Sequence, residues 1–158
     1  MLVILLIQRV SEACVRVESA IVGSIDLGLL AFVAVEPGDD EATGRRLVDR
    51  AVAYRVFEDA EGRMNRSLAD VGGELLLVSQ FTLAADTRKG LRPSFTTAAA
   101  PEVGRQLFER VVEYAREALP GKVATGRFGA DMKVALVNDG PVTFWLRFSP
   151  HACANESP

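Results

Sequence analysis

The chain has 158 residues, 49% apolar and 25% charged, enough for one domain with a sizeable core. Its net charge of −3 argues against broad binding to duplex DNA or RNA, where neutralising phosphates supplies most of the affinity. Two separated cysteines, Cys14 and Cys153, exclude a disulfide framework and fit a reducing, cytoplasmic setting.

The first segment, Met1 to Ile7, is apolar, lacks a basic leader and ends at Gln8-Arg9. It is too short to span a bilayer and reads as a buried strand over residues 2–10, with no membrane partner. Val15 and Val17, then Ile21, Val22 and Ile25, predict a hairpin around Ser19-Ala20. Residues 27–35 are apolar on both faces, which predicts a central strand. Pro37-Gly38-Asp39-Asp40 forms a turn and offers an N-cap. The helix after it turns Leu47, Val48, Ala51 and Val52 inward and Arg45, Arg46, Asp49 and Arg50 outward.

Turns are predicted at Asp59 to Arg63 and at Val71-Gly72-Gly73, followed by a strand over residues 74–83. Residues 84–100 have no clean period and carry Arg88-Lys89 and Arg92. A loop of this length often serves function; its charges read either as a solvated surface or, with Arg127, as a local basic patch. Pro101 opens a second helix whose buried stripe is Val103, Leu107, Val111, Val112, Ala115 and Leu119, and Pro120-Gly121 stops it. Three strands complete the pattern, over 122–128, 132–137 and 142–148. Residues 149–158 read as a mobile tail on a single domain of residues 1–148. The order predicts an α/β domain with a curved sheet covered by two main helices.

The side chains that usually carry hydrolysis are scarce. The one histidine, His151, lies in the predicted tail, so a histidine-dependent triad is excluded. Zinc-ligand clusters and a phosphate-binding glycine loop are missing too, so no metal or organic cofactor is implied. Thr82 is a weak nucleophile without an activating base, and it reads either as a nucleophile or as a hydrogen-bonding group. Ser79 and Gln80 beside it suit substrate positioning. Phe81, Phe128 and Met132 read either as core or as contacts to a nucleobase.

Two polar blocks stand out at the ends of apolar runs: Ser79-Gln80-Phe81-Thr82-Leu83 and Asn138-Asp139-Gly140-Pro141-Val142-Thr143. Together they resemble the signature motifs of D-aminoacyl-tRNA deacylases. Ile7-Gln8-Arg9-Val10, Phe57-Glu58-Asp59, Asp86-Thr87-Arg88-Lys89-Gly90 and Thr125-Gly126-Arg127-Phe128-Gly129-Ala130 extend the resemblance, in order, over about residues 1–148.

The resemblance implies a barrel-like mixed sheet, a homodimer, and hydrolysis of D-aminoacyl-tRNA at its 3′ end, with rejection of L-aminoacyl-tRNA and action on glycyl-tRNA mischarged on alanine tRNA. It implies a cis Gly140-Pro141 braced by Arg9, reaching into the partner's pocket as a chirality filter. Ser79, Phe81, Phe128 and Met132 would hold substrate there, and Gln80 and Thr82 would serve a catalysis assisted by the ribose hydroxyl. The rival readings are a Thr82-dependent esterase of other acyl esters and a non-catalytic module that binds RNA ends.

Overall fold

The computed structural model describes residues 3–148. The predicted tail, with His151 and Cys153, lies outside the described residues. Strand β1 (Val3–Val17) organises the sheet. Along one edge it takes two antiparallel partners in succession: β3 (Gly28–Ala34), from Ile4–Ala34 to Val10–Gly28, and then β2 (Ala20–Ile25), from Ala13–Ile25 to Val17–Ala20. The two predicted strands of residues 2–17 are thus one. Glu18 and Ser19 both take positive φ, 49° and 67°, the pairing that a tight two-residue hairpin requires.

Helix α1 (Glu41–Ala53) follows β3. Asp40 caps it by accepting hydrogen bonds from the Thr43 N–H and hydroxyl at 2.8 and 2.6 Å. A small hairpin, β4 (Phe57–Glu58) and β5 (Met64–Arg66), comes next. The short helix α2 (Leu68–Val71) was not foreseen; a reciprocal Ser67–Asp70 capping box starts it and Gly72, at φ 62°, ends it. Strand β6 (Glu74–Ser79) then pairs parallel with β3. Helix α3 (Pro101–Ala118) carries the chain over to β7 (Val123–Thr125), parallel to β6.

The last strand, β8 (Lys133–Phe148), runs antiparallel along the free edge of β1. Two predicted strands are therefore one, with Gly140-Pro141 inside it. An edge strand tolerates a residue without an N–H, because one side of its backbone owes no ladder bond. The sheet order β2-β1-β3-β6-β7 curls until its ends approach: a Cβ on Gly23 of β2 would lie 2.3 Å from the Thr125 carbonyl oxygen of β7. The result is the nearly closed, barrel-like mixed sheet, covered by helices on one face.

β3 and β6 are buried on both faces, as their unbroken apolar runs predict. Leu29, Ala31, Val33, Leu75 and Leu77 meet α1 and α3, while Leu30, Leu76 and Val78 point into the barrel with Val10 and Val15. On α3 the predicted stripe holds from Leu107 to Leu119 and departs at its first residue. Val103 is 47% exposed, and Gly104 and Phe108 join the buried face.

Candidate active site

The predicted strand over 74–83 stops at Ser79. The Gln80 N–H donates the last ladder bond, 2.7 Å to the Val33 carbonyl, and Phe81–Ala84 wind into a 3-10 turn. Ala84 is buried against Ile4 and Ala34, and the Thr97 hydroxyl donates to its carbonyl. The turn is thus fastened at its far end while Phe81 and Thr82 stay exposed at its start. Gln80 Nε2 donates to Thr82 Oγ1. An amide N–H is no base, and among the described residues no carboxylate, amine or imidazole bonds the Thr82 hydroxyl. The geometry therefore orients Thr82 without activating it.

Beside this turn lies a pocket of about 260 Å3 between the end of β3, the start of α3 and Phe128. Ser79 is the one polar side chain among its lining residues, with Val33, Phe81, Pro101 and Phe108 among the apolar ones. Gly104 makes room for Phe128, since a Cβ there would touch the ring at 3.5 Å. The Phe128 ring packs 6.1 Å from that of Phe108, and the Arg105 guanidinium sits 5.1 Å from its centroid. Arg105, Phe108 and Phe95, whose ring lies 5.2 Å from Phe81, were missed from sequence. The available signal was an aromatic inside a small, polar loop. Met132 is not a lining residue; its sulfur accepts from the Arg127 N–H at 3.4 Å and packs with the barrel interior.

The second block forms an excursion from β8. Thr143 pairs with Gln8 and Asn138 with Val10, so the four residues 139–142 stand opposite Arg9 alone. Arg9 is 6% exposed and faces the helix layer. Its Nε donates to the Asp139 carbonyl at 2.9 Å, and its Nη1 to the Val56 carbonyl at 2.8 Å. The carboxylates of Asp139 and Glu58 lie 3.7 and 3.9 Å away, outside hydrogen-bond range but close enough to offset burial of the charge. Asn138 spans the excursion. Its Oδ1 accepts from the Val142 N–H at 2.9 Å, and its Nδ2 donates to Thr143 Oγ1 at 3.1 Å. Gly140-Pro141 is cis, and both residues are exposed at the tip. Sequence reading named Gly140, Pro141 and Arg9 but not the bridge made by Asn138 or the carbonyl of Val56.

Among the described residues no group of His, Cys, Asp and Glu is placed to hold a metal ion, and no helix is long and apolar enough to cross a membrane. A strand-end pocket whose one polar lining side chain is the neutral Ser79 suits the positioning of an already activated ester.

A family model described as D-Tyr-tRNA(Tyr) deacylase matches residues 6–147. The D-aminoacyl-tRNA deacylase of Stenotrophomonas maltophilia (strain K279a) is 63% identical over 144 residues, 91% of this chain and 99% of that protein. That of Hahella chejuensis is 58% identical over 142 residues, 90% of this chain and 97% of the relative. Among solved structures, the c-Myc DNA unwinding element binding protein superposes with a TM-score of 0.87 at 34% identity, covering 93% of this chain and 99% of its own. A probable eukaryotic D-amino acid tRNA deacylase gives 0.81 at 19% identity, over 94% and 100%, and supports the fold. The chain belongs to the D-aminoacyl-tRNA deacylase family.

The Arg9 anchor generates a prediction. Arg9→Met keeps the bulk but leaves two carbonyls without their donor, so it lowers stability by about 2–4 kcal/mol. Urea unfolding measures this; an unchanged midpoint would contradict the anchor.

Proposed function

We propose that the activity belonging to this family, hydrolysis of the D-aminoacyl-tRNA ester, runs through the pocket at Ser79 to Thr82 and is made stereospecific by Gly140-Pro141 of a second copy of the chain. The terminal adenosine would lie against Phe128 and Phe81, with the ester carbonyl at the 3-10 turn. The Phe81 and Thr82 amides precede the turn's first bond, Leu83 N–H to Gln80 O, and are the donors available to the developing oxyanion. Gln80, Thr82 and Ser79 position the ester, and the neighbouring ribose hydroxyl assists the attacking water. The reaction frees tRNA for recharging and belongs with translation in the cytoplasm.

The observation that carries the cross-subunit part is register. Through the ladders, Arg9 aligns with Leu29 and Leu75, whereas Ser79 aligns with Val33 and Leu5. The excursion, in β8 opposite Arg9, is thus four residues along the strands and three strands across from Ser79, about 20 Å at ordinary strand spacings. A chain's own Gly140-Pro141 is too far away to wall its own pocket. Its exposed tip is free to enter a partner's, and a two-fold dimer would exchange two such tips. There the backbone of Gly140-Pro141 would exclude an L side chain by contact and pass a D side chain or the hydrogen of glycine. This supports action on glycyl-tRNA, including glycine mischarged on alanine tRNA.

Two outcomes test the reading. Thr82→Ala keeps substantial turnover, while a substrate ending in a deoxyribose analogue reacts poorly. An acyl group trapped on Thr82 and found by mass spectrometry would instead favour the threonine esterase. Gly140→Ala puts a Cβ 2.6 Å from Val142 Cγ2 and 3.0 Å from the Val142 nitrogen, at a φ of 139° that side chains disfavour. The excursion must shift, so the ratio of D to L hydrolysis falls by about tenfold or more. An unchanged ratio in a folded dimer would place the selectivity elsewhere.

A further inference from the structure

The segment 87–101 holds Arg88, Lys89 and Arg92 and no acidic residue, a formal +3 in a chain of −3, which leaves −6 for all the rest. The fold puts this positive segment against the pocket. The Asp86 and Ser94 backbones exchange hydrogen bonds at 2.8 and 3.0 Å, closing residues 86–94 into a hairpin. Its base is tied to the site by the Phe95–Phe81 ring contact and by the Ala99 N–H, which donates to the Val35 carbonyl at 3.2 Å. Acidic side chains crowd elsewhere, with Asp39, Asp40, Glu41, Glu109 and Glu113 lining a groove between α1 and α3.

The three cations of the hairpin are not equivalent. Arg88 forms a two-point pair with Asp86, Nε to Oδ1 at 2.8 Å and Nη2 to Oδ2 at 2.7 Å, and its N–H also donates to that carboxylate. These bonds hold the Asp86 carboxyl well below the usual carboxylate range, so it is ionised at neutral pH. Its charge is neutralised locally and its role is to shape the hairpin. Lys89 and Arg92 are exposed and have no acidic partner among the described residues. Between them Leu91 is fully exposed, at 104%, and gains nothing from the fold. Across the pocket Arg127 is exposed too, and Arg105 lies over Phe128.

We propose that the 86–94 hairpin is a phosphate-contacting arm for the single-stranded acceptor end of tRNA, with Lys89 and Arg92 as its cations and Leu91 as an apolar contact to a sugar or base. This rests on the reading of the pocket as the seat of the terminal adenosine, because the strand leading from that pocket is what brings phosphates to the arm. Neutral stacking surfaces beside free cations are what single-stranded nucleic acid binds. Two such contacts add affinity without making the whole chain basic.

The test is binding of fluorescently labelled, uncharged tRNA by the unaltered protein and by K89A/R92A, followed by anisotropy between 50 and 200 mM salt. At about 0.7 per single-strand phosphate, removal of two contacts reduces the slope of log affinity against log salt by about 1.4 and weakens binding roughly tenfold at 0.1 M salt. The same variant hydrolyses D-aminoacyl-adenosine, which has no phosphate, at an unchanged rate. Equal affinity and slope in both proteins would overturn the arm. So would the absence of salt-dependent binding by the unaltered protein, and so would a loss of rate on the adenosine ester matching that on tRNA. Failure of the unaltered protein to cleave the small D-ester counts against the pocket, and leaves the binding result to decide on the arm.

Discussion

One buried cation holds the second signature block in place. Arg9 lies on the helix-facing side of β1, beside an apolar layer, and there its charge is costly unless its donors are used. It uses two of them on backbone carbonyls from elements far apart in sequence, Asp139 in the excursion of β8 and Val56 ahead of β4. A lysine at this position has one nitrogen and no fork, and does not reproduce that geometry. The ladder skips four residues of β8 at this point, and an excursion without an anchor would be an ordinary mobile bulge. Arg9 from below and the Asn138 side chain from within make it a fixed projection. The reading of Gly140-Pro141 as a rigid wall depends on that.

The same sheet sets the half proposed to be catalytic. β6 ends at Ser79 because the Gln80 N–H makes the last bond to β3 and the chain then winds beneath the pocket, leaving the Phe81 and Thr82 amides without a partner among the described residues. This gives oriented donors but, among the described residues, no base bonded to Thr82. It suits an ester whose leaving group is already good and whose neighbouring hydroxyl belongs to the substrate. Gly140-Pro141 and the donor turn lie at different heights of one chain, so on the proposed reading two copies would be needed to assemble one complete site.

The strongly periodic parts of the fold were legible in the sequence. The double-faced apolar runs of β3 and β6 predicted central strands, and the stripe on α1 lay where its periodicity put it. Boundaries failed where tertiary context overrides local signals. Gly140-Pro141 reads as a strand break, yet β8 pairs through it on the sheet edge. Residues 81–84 continue an apolar run, but the ladder to β3 ends before them. Val103 fits the helical stripe, yet it falls at the first turn of α3, where Gly104 and Pro101 face the pocket and the core begins one turn later. At the site, Ser79, Phe81 and Phe128 come together on one pocket, and Arg9 meets the Gly140 segment, as their motifs suggested. Met132, Phe108 and Asn138 were assigned or missed because motif position does not reveal which face of a strand or helix a side chain takes.

The most direct test of the account is a mixed-dimer experiment. Chains with a disabled pocket, Phe81→Glu, are mixed in several-fold excess with chains carrying Gly140→Ala, so that nearly all of the latter pair with the former. If the filter acts across the interface, each such hybrid has one site with an intact pocket facing an intact Gly140-Pro141. The ratio of D- to L-aminoacyl-tRNA hydrolysis then returns to that of the unaltered protein. A ratio that stays at the value of the Gly140→Ala homodimer would show that the excursion acts within its own chain or not at all, and would contradict the account.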